Sequence, residues 1–379
     1  MTAPRPAPTR ARRRAHHLVE AAARLPHPRA AGRAASLALL AALAGCAAPA
    51  SPAPAPPARP PGVATVPTTD ATGGVCPVRR SLPPDPTPPR RILARGELVA
   101  GVDPSDATMS HWDARTQRFE GFNIELMLAV ARALWPADDP RSRLTFKAVP
   151  PGQGAFTMLE NGEIDVVATS LTASCERARR VLFSNDYLDS GQTVLVRRHA
   201  DGTPEFAGME QLGGRRVCAA ANTTSLAMIA GYRTAGGARP VPVQAPHPVD
   251  CLVMLRQGQV DGVSTDDNIL LGFVRMAPDT TLVTEAPRPE RRSCDHHRDE
   301  NCTWFTDEPH AFAFHLTDGR ELVAFVNHVL AQPRTASVWQ RAHDRWLAGH
   351  RDRGMPSPGP ATTVWPPPDP APATARPAD

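Results

Sequence analysis

Apolar positions along this chain follow two periods. Ile124, Met127, Leu128, Ala131, Leu134 and Trp135 recur at helical spacing, which predicts an amphipathic helix over 124–135 with Asn123 as its N-cap. Short apolar runs bounded by glycine and polar residues predict strands at Leu98–Val102 and Arg216–Ala221, the second followed by Asn222-Thr223-Thr224-Ser225 and a helix through Tyr232. The two periods meet twice in the same order. Residues 158–169 read MLENGEIDVVAT and residues 254–265 read MLRQGQVDGVST, sharing Met, Leu, Gly, Asp, Val and Thr. In each, a helix ends at a glycine cap, Gly162 or Gly258, and a short buried strand follows, Ile164–Ala168 or Val260–Ser264. Two α/β lobes of similar build account for this echo. Strands alternating with helices predict a mainly parallel sheet in each lobe, with ligands at the carboxyl ends of the strands.

One apolar run does not fit this plan. Ala34 to Gly45 is 12 residues long, short of the roughly 20 that a membrane-spanning helix needs. Arginines precede it and small residues follow, the layout of a secretory signal peptide. Leu43-Ala44-Gly45-Cys46 resembles the lipobox of bacterial lipoproteins, which implies that Cys46 carries a lipid and becomes the mature N-terminus. A leader of 45 residues is longer than the usual ~15–30, so a start site downstream of Met1 stays open. The leader also distorts the charge. Of 42 basic and 38 acidic residues, positions 1–45 hold 8 arginines and one acid, Glu20, so the exported chain is near −3 rather than +4. The basic excess belongs to export, which excludes nucleic-acid binding. Residues 47–90 hold 14 prolines and residues 355–379 hold 9 more; such segments bury nothing and stay extended. We therefore expect a signal peptide over 1–45, a lipidated stalk over 46–90 and a Pro-rich tail over 351–379. The roughly 260 residues between them suit two compact units.

Within this head the segments GELVAGV (96–102), FEGFNIELMLAVARAL (119–134), GEIDVVATSLTASCERARRVLFSNDYLDSGQTVLV (162–196), GGRRVCAAANTTSL (213–226) and GQVDGVSTDDNIL (258–270) resemble one family. It is that of the extracellular solute-binding proteins that deliver polar amino acids to ABC transporters, in particular the actinobacterial glutamate/glutamine-binding lipoproteins. The resemblance covers about 90–350, and ERARRVLFS is its most specific stretch. It implies a type II periplasmic-binding-protein fold, a two-lobe Venus flytrap of mixed, mainly parallel sheets flanked by helices. Lobe 1 would run over 91–196 and 308–350, and lobe 2 over 197–307. Crossings near Val194–Arg197 and His310–Phe314 would form the hinge about which the lobes close.

The resemblance also assigns the cleft. Arg177 matches the family arginine that grips the ligand α-carboxylate, a task suited to the planar, bidentate guanidinium; the alternative is a solvated arginine like Arg179 or Arg180. Ser170 and Thr172, at a strand end, would join that carboxylate or merely cap. Thr223 and Thr224 occupy a strand-to-helix turn where unpaired N–H groups attract anions. Asp266 matches the acid that pairs with the ligand ammonium, unless it is only a helix cap, with Asp267 or Asn268 as the other cap candidates. Asp103 and Asp106 lie in a loop that lines the ligand in the family. That loop usually brings an aromatic wall, for which Trp112 is the substitute unless it packs in the core. Glu125 replaces an Asp usual in the family and is expected on the helix surface.

Besides Cys46, six cysteines remain. Outside the cytoplasm they are expected to oxidise, in a connectivity the sequence alone leaves open. The neighbourhoods of Cys218 and Cys251 resemble a paired set in the actinobacterial relatives. Cys294 and Cys302 bracket the short polar insert SCDHHRDENC, and Cys76 and Cys175 would then tie the stalk to lobe 1. Cys294, His296, His297 and Cys302 also have zinc-ligand chemistry, but oxidation competes, and we expect neither metal nor cofactor.

Three functions compete. The first is a monomeric binding component, lipid-anchored on the outer face of the membrane, that hands an amino acid to ABC permease subunits. The second is an amino-acid sensor for a membrane signalling partner. The third is an enzyme, since a dehydratase of aromatic-precursor acids shares the fold; no poised acid or base stands out beyond the binding set, so we expect no catalysis. One departure bears on specificity. Glutamate-binding relatives commonly carry an arginine 22 residues before the position of Arg177, facing the ligand's side-chain carboxylate; here that position is Ala155. Burying a second carboxylate without a cation is costly, and no replacement is obvious, His111 and Gln153 being the candidates. A neutral polar side chain, glutamine or asparagine, is expected ahead of glutamate.

Overall fold

The computed structural model describes residues 82–174, 176–285 and 303–347. The leader, Cys46, the stalk as far as residue 81 with Cys76, Cys175, the insert carrying Cys294, His296, His297 and Cys302, and the Pro-rich tail lie outside these residues, as do two of the expected disulfides. Residues 82–90, expected as the end of an extended stalk, instead pack on the first lobe, where Leu82 O accepts from Asn327 Nδ2 at 2.6 Å. Helix α1 (Arg90–Arg95) leads into β1 (Leu98–Val102), a hairpin of β2 (His111–Asp113) and β3 (Arg118–Glu120), α2 (Phe122–Leu134), β4 (Leu144–Ala148), α3 (Gly154–Glu160), β5 (Val166–Val167) and β6 (Val181–Phe183). Then come β7 (Gly191–Arg197), β8 (Arg216–Ala220), α4 (Thr224–Gly231), β9 (Val241–Ala245), α5 (Pro248–Arg256), β10 (Gly262–Asp266), α6 (Asp267–Met276) and β11 (Thr280–Leu282). The chain returns through β12 (Thr306–Asp307) and β13 (Ala313–His315) and ends in α7 (Arg320–Leu330) and α8 (Pro333–Trp346).

Two sheets result, one per lobe. The first has the order β4-β1-β5-β13-β6; the second has β11-β7-β10-β8-β9, with β12 also on β7. In the first, β1 runs parallel to β4 and β5 while β13 is antiparallel to β5 and β6. In the second, β8 is parallel to β9 and β10 while β7 is antiparallel to its neighbours. The parallel half of each sheet comes from strand–helix repeats, and the antiparallel strands come from the crossings between lobes.

Strand period and burial agree. Leu98, Ala100 and Val102 of β1 enter one apolar cluster with α2, α7 and α8, while Val99 points into another with Phe156 and Leu159 of α3. In the second sheet Leu195 and Cys218 face Leu252, Leu255 and Phe273, while Val194, Val196 and Val217 face Ile229, Met209 and Leu212. Both faces of both sheets are thus covered, which is why their strands read as continuous apolar runs. The echoed segments behave alike: Gly162 and Gly258 follow α3 and α5 with φ of 70° and 71°, the left-handed turn that glycine enters without steric cost. Among the described residues no helix is long and apolar enough to cross a membrane.

Three local expectations are corrected. The crossing placed at Val194–Arg197, with lobe 1 running to 196, is instead β7, and all of Gly191–Val196 is buried in the second sheet; the chain leaves the first lobe before Gly191. A doubly buried apolar run carries no mark of which sheet it joins. The return crossing falls between β12 and β13, at 308–312. Asn123 does not cap α2: Gly121 is the N-cap, and Asn123, wholly buried, donates from Nδ2 to Ala168 O at 3.1 Å, tying the helix to the end of β5. Trp112 neither lines the cleft nor packs in the core. It is 46% exposed on the β2–β3 hairpin, edge-on to Phe119.

Candidate functional site

Polar side chains converge where the carboxyl ends of β1, β5, β8 and β10 meet between the sheets. Asp103, Asp106, Thr169, Ser170, Thr172 and Arg177 come from the first lobe, and Thr223, Thr224, Ser225, Thr265 and Asp266 from the second. They line a cavity of about 40 Å³, room for only a few water molecules. Asp103, Asp106, Ser170, Thr172, Arg177, Thr223, Thr224 and Asp266, expected from the sequence, are among them, and Trp112 is not.

Arg177 stands apart from its neighbours. It is 4% exposed in a short 3₁₀ turn, whereas Arg179 is exposed and Arg180 half-buried. Its Nη1 donates to Thr172 O at 2.7 Å, which fixes the guanidinium against the strand end. Among the described residues it is the single basic side chain lining the cavity. Burial lowers its pKa, while Glu308, Asp266 and Glu176 favour its charge.

Asp266 is the N-cap residue of α6, yet its side chain makes no capping bond. Its Oδ1 is buried without a hydrogen-bond partner. Burial, then Glu308 and Asp267, raise its pKa well above the usual carboxylate range. Asp267 instead braces the hinge: its Oδ1 accepts from Ser190 Oγ at 2.6 Å and from Asn268 N–H at 2.8 Å, and its Oδ2 from Trp304 Nε1 at 3.1 Å.

The other expected residues divide into two kinds. Thr172 and Thr224 face each other across the cleft with hydroxyls 3.4 Å apart. Asp103 Oδ1 accepts from Ser105 N–H and Oγ–H at 2.9 and 2.7 Å. The hydroxyls of the remaining two are committed to structure. Thr223 caps α4, donating to Ala220 O and accepting from Leu226 N–H. Ser170 donates to Asp106 Oδ2 at 2.7 Å and accepts from Asn268 Nδ2 at 2.9 Å, so it joins the lobes. Asp106 Oδ1 gathers Thr108 N–H, Thr108 Oγ–H and Met109 N–H; burial, followed by the charge of Asp103, raises its pKa to about 6.

Sequence reasoning missed two residues on the return crossing. His310, fully buried, has Nε2 at 3.1 Å from Asn268 Oδ1, and burial and the charge of Arg177 lower its pKa to about 3, so it is neutral. Glu308 is buried beside Thr306. The only trace in sequence is an acid and a histidine around Pro309 ahead of the apolar AFAF run. Ala155 sits in the core under α3. Neither proposed substitute reaches the cleft: His111 packs on Trp346, and Gln153 is tied to Glu176 and Arg180.

In the second lobe Cys218 on β8 and Cys251 on α5 form a disulfide with Cα atoms 5.5 Å apart.

Two α/β lobes joined by paired crossings, with a charged cleft at their strand ends, define a type II periplasmic binding protein. The chain belongs to the bacterial extracellular solute-binding proteins, family 3, whose profile matches residues 98–349. The family is one of binding proteins, so this is a solute-binding protein and not an enzyme. It is 24% identical over 258 residues to the ABC transporter glutamine-binding protein GlnH of Bacillus subtilis, covering 68% of this chain and 83% of that one. A glutamine-binding protein of Geobacillus stearothermophilus is 25% identical over 196 residues, covering 52% and 70%. Among solved structures, the cysteine-binding protein of Campylobacter jejuni superposes with a TM-score of 0.56 at 18% identity, covering 69% of this chain and 92% of that one. The P235GK mutant of ArgBP from T. maritima superposes with a TM-score of 0.53 at 23% identity, covering 68% and 98%.

Proposed function

We propose that this protein captures a polar L-amino acid outside the cell and passes it to an ABC permease, held at the membrane by a lipid on Cys46. The ligand α-carboxylate binds Arg177 with the hydroxyls of Thr172 and Thr224 and with backbone N–H groups at the start of α4. The ammonium pairs with Asp266. Asp103 takes a hydrogen-bond donor of the side chain. The glutamine-binding names of the relatives support this ligand class.

The observation that carries the reading is a complementary pair in one cavity: a buried arginine and a buried carboxylate oxygen without a partner. An α-amino acid supplies the charge each lacks. The side-chain end of the cavity holds acids rather than a cation, because Asp103 and Asp106 line it and Ala155 does not. A second ligand carboxylate would be buried there against like charge, so glutamine or asparagine binds ahead of glutamate.

A thermal-shift screen of the purified protein against the twenty amino acids tests this. A rise in Tm with a neutral polar amino acid is expected. No response to any of them would overturn the reading. The anchor is tested separately: Cys46→Ser should appear in the medium rather than with membranes.

A further inference from the structure

One buried acid behind the residues that line the cavity is not used by the reading above. Glu308 is 3% exposed on the return crossing. Its backbone is held on both sides: Glu308 N–H donates to Ser190 O, and Ala173 N–H donates to Pro309 O, both at 2.8 Å. Its Oε1 accepts from Thr306 Oγ at 2.9 Å, and its buried Oε2 makes no close hydrogen bond, with the hydroxyls of Thr172 and Thr224 near enough to act on the carboxylate. Asp266 is in the same condition, and the nearest ring nitrogen, His310 Nε2 at 3.7 Å from Oδ2, belongs to a neutral imidazole. A backbone bridge between Thr172 and His310 sets this crossing beside the strand end that holds Arg177, and Glu308 favours the charge of that guanidinium. Two buried carboxylates therefore share one guanidinium.

Charge balance then limits what a ligand can do. A zwitterionic amino acid brings one ammonium and one carboxylate. With the ammonium on Asp266 and the carboxylate on Arg177, Glu308 is left beside a second carboxylate with no cation of its own. Like charges sharing one buried site do not both stay ionised. Burial already raises the pKa of Glu308, against the lowering influence of Thr172, Thr306, Arg177 and Thr224. Of the other titratable groups around this centre, Asp266, Asp267 and Asp106 are acids pushed up by burial, Glu176 is a further acid acting on Arg177, and His310 is neutral.

We propose that Glu308 is a proton-accepting positioning residue for the Arg177 anchor: when a ligand carboxylate occupies Arg177, Glu308 takes one proton from solvent at Oε2, and returns it on release. One O–H bond forms per ligand bound and no other bond changes. This rests on Arg177 being the carboxylate anchor. Asp266 has the opposite sign, since a ligand ammonium favours its ionised form, so the two contributions must be separated.

Calorimetric titration with L-glutamine, or with the amino acid that ranks first in the thermal-shift screen, separates them. Wild type and Glu308→Gln are compared near pH 6 in buffers of unlike ionisation enthalpy. Glutamine keeps the size and the Thr306 contact but needs no proton. Wild type should take up about one proton more per ligand than E308Q. The ratio of E308Q to wild-type affinity should rise with pH, by up to roughly tenfold per unit, in the window between the free and ligand-bound pKa of Glu308. Equal proton counts and parallel pH profiles would overturn the proposal. Should E308Q not fold, infrared difference spectra of wild type decide: ligand addition should produce a protonated-carboxyl band, and its absence refutes the idea. Binding that Arg177→Ala abolishes, without a Glu308-linked proton, sinks this inference and leaves the anchor standing. Wild-type protein that binds no amino acid removes both.

Discussion

Replacing Cys218 and Cys251 together by alanine is the perturbation whose size follows most directly from the structure. The bond closes a loop of 33 residues, and chain-entropy arguments give about 4 kcal/mol for a loop of that length. Both cysteines are fully buried among Leu252, Leu255, Val260 and Val263, so loss of the two sulfurs adds on the order of 1 kcal/mol of packing. Engineered losses often fall below such sums, so about 3–5 kcal/mol is expected. For a body of this size each kcal/mol moves Tm by about 2–4 °C, which puts the shift at about 6–20 °C. Circular dichroism under non-reducing conditions reads it. Affinity should change far less, because neither cysteine lines the cavity; of the two bridged elements, β8 lends it no side chain and α5 only Pro248. A Tm within about 2 °C of wild type, or free thiols at both positions in exported protein, would refute the reasoning.

The other predictions concern the cleft. Arg177→Ala leaves a bound carboxylate without its cation, and amino-acid affinity should fall by about 3–5 kcal/mol, a few-hundred-fold or more, measured by calorimetry; Arg177→Lys should restore only part of it, since the planar fork is lost. Gly152 has φ +60°, and a Cβ there would lie 2.2 Å from Asn222 O across the cleft. Gly152→Ala should hold the lobes apart, seen as a larger radius in X-ray scattering of the liganded protein, and weaken binding about tenfold. Asp106 has a pKa raised from 3.8 to about 6 on folding. The native state then binds more protons than the unfolded one between these values, so stability falls as pH rises through them. Asp106→Asn lacks that slope, and its stability deficit against wild type should shrink by up to about 3 kcal/mol between pH 4 and 7 in urea titrations.

Much of this architecture was legible in the sequence because local rules and tertiary packing agree. The echo at Gly162 and Gly258 announced two lobes, and β1 falls on the expected Leu98–Val102. Arg177 and Asp266 were legible through motif, and both line the cavity. The failures have a common cause: they depend on which element meets which. Asn123 looks like a helix cap until Ala168 O offers its amide a buried partner. Residues 194–197 read as a crossing or as a strand depending on which sheet holds β7. Ser170 and Thr223 have the right chemistry for a ligand, yet Asp106 and Ala220 claim their hydroxyls. Glu308 leaves only the faint trace of an acid before Pro309, because its significance lies in the strand end that holds Arg177, 131 positions away in the chain.

The central claim is that the Arg177–Asp266 pair holds the head group of an α-amino acid while the acids beside it turn away a second carboxylate. Calorimetric titration of the purified protein with L-glutamine and L-glutamate, side by side at neutral pH, tests it most directly. The account predicts that glutamine binds more tightly than glutamate and that Arg177→Ala abolishes the binding of both. Glutamate bound far more tightly than glutamine would contradict it, by requiring a cation at the side-chain end of a cavity lined there by Asp103 and Asp106.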